Sequence, residues 1–112
     1  MLIQKKISDF LVFETESIIK ALEKINSNKK RIIFVVTEDG KLCGSFSDGD
    51  FRRWITNGDF DLSREMSEVM NQNVRYKKVD APRNEIESLF SNGVDVLPLV
   101  DGYRRLRSEE HT

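Results

Sequence analysis

Displaced by 64 positions, this chain lies over itself without a gap. "SIIKALEKINSNKKRIIFVVTEDGKL" (17–42) then falls on "APRNEIESLFSNGVDVLPLVDGYRRL" (81–106). Leu22 meets Ile86, Ile25 meets Leu89, Asn28 meets Asn92, Ile32 and Ile33 meet Val96 and Leu97, Val36 meets Val100, and Leu42 meets Leu106. In a chain that is 38% hydrophobic, chance supplies some apolar matches, but not matched turns and helix ends as well. The chain therefore reads as one unit written twice, and two like units pack most simply about an approximate two-fold axis.

Each copy opens with a short extended segment, "FLVFET" in the first and "VRYKKV" in the second. A helix follows, with Ser17 suited to the N-cap in one copy and Pro82 to the first turn in the other. Ile18, Leu22 and Ile25, and then Ile86, Leu89 and Phe90, recur at helical spacing and mark one buried face on each helix. The β-branched run "RIIFVV" ends at Glu38-Asp39-Gly40 and leads into "KLCGSFS", which predicts a β-hairpin with an Asp-Gly turn. "DVLPLV" before Asp101-Gly102 repeats it, although Pro98 lacks a backbone donor and pushes its strand toward an edge or a bulge. A helix starting near Asp50 carries Phe51, Trp54 and Ile55 on one side and stops at Asn57-Gly58. "SREMSEVM" reads as a linker helix beginning at Ser63, with Met66, Val69 and Met70 on its buried side. The expected class is α+β: tandem β-α-β-β-α units with pseudo-two-fold symmetry, the second truncated.

Residues 1–62 form the first unit, 63–107 the linker helix and incomplete second unit, and 108–112 a polar tail. That ending, "RLRSEEHT", is polar where the first copy has a strand, so it reads as an end or the start of a connection to another domain. Under the 64-residue shift Gly44 falls on Ser108, Ser47 on His111, and Asp50 beyond Thr112. The second copy thus lacks the acid of the first, and its uncovered apolar surface favours a homodimer or a missing neighbour.

With 18 basic and 19 acidic residues interspersed along the chain, no concentrated positive field exists for a nucleic-acid polymer or a membrane surface. The longest apolar run is too short to span a bilayer and no signal-peptide core is visible, so the expected location is cytoplasmic. Cys43, alone of its kind, excludes an internal disulfide and reads as a small buried hydrophobe. No Cys/His or Ser/His/Asp set, metal spacing or phosphate-binding P-loop is present, and "SDGD" departs from a calcium loop in spacing and in its missing closing Glu. An enzyme is not expected, and no cofactor is required.

In order along the chain, "ESIIKAL", "IIFVVTEDGKLCG" with its echo "VLPLVDGYRRL", and Gly44, Ser47 and Asp50 within "GSFSDGD" resemble the CBS-domain pair, or Bateman module, from about Ile3 to Leu106. "DGDFRR" is similar to the form found in CBS pairs attached to sugar-phosphate isomerases and to enzymes of sugar-nucleotide or sialic-acid-type synthesis. The resemblance implies a regulatory module that binds an adenine nucleotide (AMP, ADP or ATP) between its units and controls an attached or partner catalytic domain. It also implies Ile33 and Phe34 as walls for the base. Asp50 is of the wrong sign for phosphate but suits the ribose hydroxyls, as a charged acceptor. Ser47 would reach ribose or phosphate, and Arg52 or Arg53 the phosphate, next to a helix N-terminus whose N–H groups favour anions. Beside this stands an ordinary alternative: Ser47 and Asp50 as helix caps, Gly49 as a turn residue and the arginines solvated. At the level of function the alternative is a CBS pair without ligand that serves dimerisation or docking.

Overall fold

The computed structural model describes residues 7–111. After a 3-10 turn at Ile7–Phe10, the elements are β1 (Leu11–Phe13), α1 (Ile18–Asn28), β2 (Ile32–Val36), β3 (Leu42–Ser47), α2 (Asp48–Thr56), the single turn α3 (Met66–Val69), β4 (Lys77–Lys78), α4 (Arg83–Ser91), β5 (Val96–Val100) and β6 (Leu106–His111). They form two three-stranded sheets, β1-β2-β3 and β4-β5-β6, each with its middle strand parallel to the first and antiparallel to the third. This is the mixed α+β architecture expected of a duplicated unit.

The 64-residue shift is an operator of the fold as well as of the sequence. Val36 pairs with Leu42 after an irregularity between Val35 and Val36, and Val100 pairs with Leu106 after the same irregularity between Leu99 and Val100. Where the hairpin tips meet, the Leu42 N–H donates to the Arg104 carbonyl (3.0 Å) and the Leu106 N–H to the Gly40 carbonyl (2.9 Å). Each bond becomes the other when 64 is added to one partner and subtracted from the other, as an approximate two-fold axis between the hairpins requires.

Both middle strands are apolar runs because both of their faces are covered. Ile33 and Val35 face Ile18, Ala21 and Ile25 of α1, together with Phe46 and Met66. Leu97 and Leu99 face Ile86 of α4 in the same way. The alternate residues, Phe34 from β2 with Val96 and Val100 from β5, meet Phe10 and Leu42 in a third cluster that joins the two units. A strand's period of two thus divides each run between a unit's own helix and the shared core.

Several expectations are corrected. The polar tail is not a tail: residues up to His111 form β6, paired along β5 from Leu106. Its polar residues pass unnoticed in the sequence because an outer strand is held by ladder hydrogen bonds and needs no apolar alternation of its own. Of the two places expected for Pro98, the irregularity is present in its strand, between Leu99 and Val100, but the strand is the middle one and not an edge. Val100 accepts from the Val79 N–H on the β4 side, so alternation turns the Pro98 nitrogen to that side too, where β4 reaches only Leu99 and Val100. The linker helix is a single turn with Glu65 at its N-cap position, without a side-chain capping bond, rather than a helix starting at Ser63, although Met66 is fully buried as expected. The left-handed residue of the second turn is Arg104 (φ 65), the counterpart of Gly40 (φ 81), and not Gly102.

Candidate functional site

Ser47 ends β3 in an extended conformation (φ −114, ψ 169) and caps α2. Its Oγ accepts from the Asp50 N–H (3.1 Å), and Asp50 Oδ2 accepts in return from the Ser47 N–H (3.0 Å) and hydroxyl (3.0 Å). This reciprocal box satisfies two donors that a helix start otherwise leaves unpaired. Asp50 Oδ1 holds the Arg53 guanidinium, and Asp48 holds Arg52 at 2.8 Å. Two acids in the first turn already oppose the positive end of the helix dipole, and two arginines neutralise them. The ordinary reading of these residues as caps is therefore present in full.

The two glycines of this segment are placed differently. Gly49 lies inside α2 rather than in a turn, and a Cβ there would make only ordinary contacts, 3.5 Å from Arg53 and 3.7 Å from Ser47 Oγ. Gly44 is constrained differently: a Cβ would stand 2.6 Å from Met70 Sδ and 3.0 Å from the Asn71 carbonyl. The segment after α3 lies that close because Ser45 and Asn71 exchange backbone bonds of 2.9 and 2.8 Å, which covers the outer edge of β3.

Of the six predicted site residues, the structure brings Ser47, Asp50 and Arg53 together and parts the others from them. Arg52 turns to the opposite side, where it lines a groove between α1 and α2. Ile33 and Phe34 are 0% and 1% exposed, so neither presents a surface to a ligand; Ile33 belongs to the core under α1, and Phe34 to the core between the units. The N-terminus of α1 is closed as well, since the Ile18 and Ile19 N–H groups donate to the Arg64 and Leu62 carbonyls. Cys43 is half-buried on β3, and its thiol donates to the Val35 carbonyl at 3.3 Å. Burial pushes that thiol up to about 11, and the nearby Glu14 carboxylate adds to the shift. Sequence reasoning missed the groove, although Gly93 standing where Lys29 stands in the first copy marks its edge.

Residues 7–57 match the family model of the CBS domain. Protein MJ1225 from Methanocaldococcus jannaschii is 28% identical over 96% of this chain and 44% of that one, with a TM-score of 0.80. The cytosolic domain of the Mg2+ channel MgtE in complex with ATP is 26% identical over 91% of this chain and 41% of that one, with a TM-score of 0.72. The CBS domain pair of protein MJ0100, in complex with 5'-methylthioadenosine and S-adenosyl-L-methionine, is 22% identical over 91% of this chain and 83% of that one, with a TM-score of 0.73. This chain spans less than half of the first two of these proteins. Among curated proteins nothing matches. With the family model matched over the first unit and the same fold repeated at a fixed offset in the second, the chain as a whole is similar to CBS-domain pairs.

Proposed function

We propose that this chain is a CBS pair, a cytoplasmic regulatory module that binds an adenine nucleotide at the N-terminus of α2. On that reading it governs an attached or partner enzyme. The observation that carries it is the Ser47–Asp50 pair, flanked by the bare backbone of Gly49 and by an Arg53 side chain that is 72% exposed. Asp50 Oδ2 is committed to Ser47, while Oδ1 holds only Arg53. A ribose hydroxyl that takes Oδ1 releases the guanidinium for the phosphate, so one exchange serves both halves of a nucleotide. The structures with ATP and with S-adenosyl-L-methionine support the choice of an adenosyl ligand. The likeness of "DGDFRR" to modules of sugar-phosphate and sugar-nucleotide enzymes supports a partner in that metabolism. Walls for the base must come from residues other than the buried Ile33 and Phe34.

Thermal unfolding with AMP, ADP, ATP or S-adenosylmethionine tests this reading. A nucleotide at a hundredfold excess over its Kd adds about 2.7 kcal/mol. Asp50→Asn, which keeps the size of the side chain, should remove that gain. Equal stabilisation of parent and variant by every nucleotide, or of neither, would refute it.

A second reading, dimerisation or docking without ligand, is favoured by the surface around α2. That helix contributes no fully buried residue, and Phe60 just beyond it is 73% exposed. Sedimentation at micromolar concentration tests it: this reading expects a dimer that Phe60→Ser dissociates, with no response to nucleotide.

A further inference from the structure

On the outer face of the first unit, α1 and α2 enclose a groove of about 820 Å3, within the range of small-molecule sites. Ile19, Leu22, Phe51 and Leu62 make it apolar, and Ile19 is 47% exposed there. Its cations are Lys29, Arg31 and Arg52, and its acids Glu23 and Asp48. Asp48 is bound to Arg52, and Glu23 pairs loosely with Lys20 at 3.8 Å. Lys29 and Arg31 enter no ion pair among the described residues.

Both of these cations stand on left-handed backbone, with φ of 62 and 61, a region that side chains of their size seldom adopt. The second copy shows that the corner itself does not require them. Lys29 has Gly93 (φ 93) as its counterpart, and Arg31 has Asp95, an acid that is not among the positive-φ residues. Backbone strain that the turn does not need, and that brings unpaired charge to a groove, is the kind retained for binding. We infer that the groove between α1 and α2 binds an amphipathic anion. Its apolar body lies over Ile19, Leu22, Phe51 and Leu62, and its carboxylate, phosphate or sulfonate head lies between Lys29 and Arg31. This site is separate from the Ser47–Asp50 pair and does not depend on it.

The probe is 8-anilinonaphthalene-1-sulfonate, an apolar ring system with one sulfonate. The expected result is saturable fluorescence enhancement at one site per chain, weakened about tenfold by Lys29→Gly or Arg31→Asn. N-phenyl-1-naphthylamine, which lacks the sulfonate, should bind parent and variants alike. Gly and Asn both accept left-handed backbone, so the variants should keep their fold, and their urea midpoints check it. Three results would overturn the inference: unchanged dye affinity in both variants, displacement of the dye by ATP, or a dimer in sedimentation whose groove excludes the dye.

Discussion

Lys29→Gly should stabilise this protein. Lys29 is the left-handed C-cap of α1, with φ 62 and ψ 4, and its exposed side chain makes none of the protein's described hydrogen bonds or ion pairs. A side chain with a Cβ in that conformation costs about 1–2 kcal/mol. Glycine returns about 0.5–1 kcal/mol of this through the greater freedom it has in the unfolded chain. The net gain is about 0.5–1 kcal/mol, and for a domain of this size it should raise the melting temperature by about 2–4 °C. Gly93→Lys is the reverse experiment in the second copy. Nothing lies within 4 Å of a Cβ built on Gly93, so its cost is conformational rather than steric and should mirror the gain at Lys29.

Urea unfolding is the assay, with the midpoint read at constant m-value. A stability for Lys29→Gly equal to or below that of the parent would refute the reasoning, because the lysine stem would then be making contacts worth as much as its strain. A Gly93→Lys variant that loses nothing would refute it from the other side.

Gly44→Ala should destabilise by about 1–3 kcal/mol through overpacking against Met70, and adding Met70→Ala should recover only part of the loss, since the Asn71 carbonyl also stands 3.0 Å away; chemical unfolding of the single and double variants measures both. Burial pushes Asp101 up, but N–H donation from Arg105 and Tyr103 and the Arg107 guanidinium outweigh it and hold its carboxyl below the usual range. A depressed folded pKa stabilises above the unfolded value of about 3.9 and is lost as pH falls through the folded value, so Asp101→Asn should flatten the acid limb of the stability curve. Alkylation of Cys43 by iodoacetamide should be slow at neutral pH and keep rising until the thiol titrates near pH 11; a plateau near pH 8.5 would contradict its burial.

What was legible in the sequence was local or repeated. Apolar spacing marked α1 and α4, and the 64-residue overlay fixed both hairpins in one register. β6 was hidden because Arg107, Ser108 and Glu109 become a strand through their partners on β5, a contact that no local pattern encodes. Asp101-Gly102 looks like a turn dipeptide, yet Thr37 shows its true place. Thr37 Oγ1 accepts the Lys41 N–H as Asp101 Oδ1 accepts the Arg105 N–H, which leaves residue 104, not 102, at the left-handed corner. At the site, the ordinary reading of Ser47 and Asp50 as helix caps was legible in their spacing, while the burial of Phe34 was not visible, because the alternation of β2 does not say that a second sheet covers its other face.

The two copies exchange glycine for a long cation at matched corners. Gly40 stands opposite Arg104, and Lys29 opposite Gly93, all four with positive φ. The fold therefore asks only for the conformation at each corner, and the cation is an addition that has to be offset elsewhere. At Arg104 the offset is visible: the guanidinium lies 4.8 Å from the centre of the Tyr76 ring, a contact worth about 0.5–1 kcal/mol at an exposed site. At Lys29 no such contact exists within the described protein. Arg104→Gly should consequently leave stability nearly unchanged, strain relief cancelling the lost stacking, while Lys29→Gly should gain the full amount. If both variants gain equally, Tyr76 holds nothing. If neither gains, the left-handed corners carry no strain, and the reason for seeking a partner for Lys29 outside the chain disappears with it.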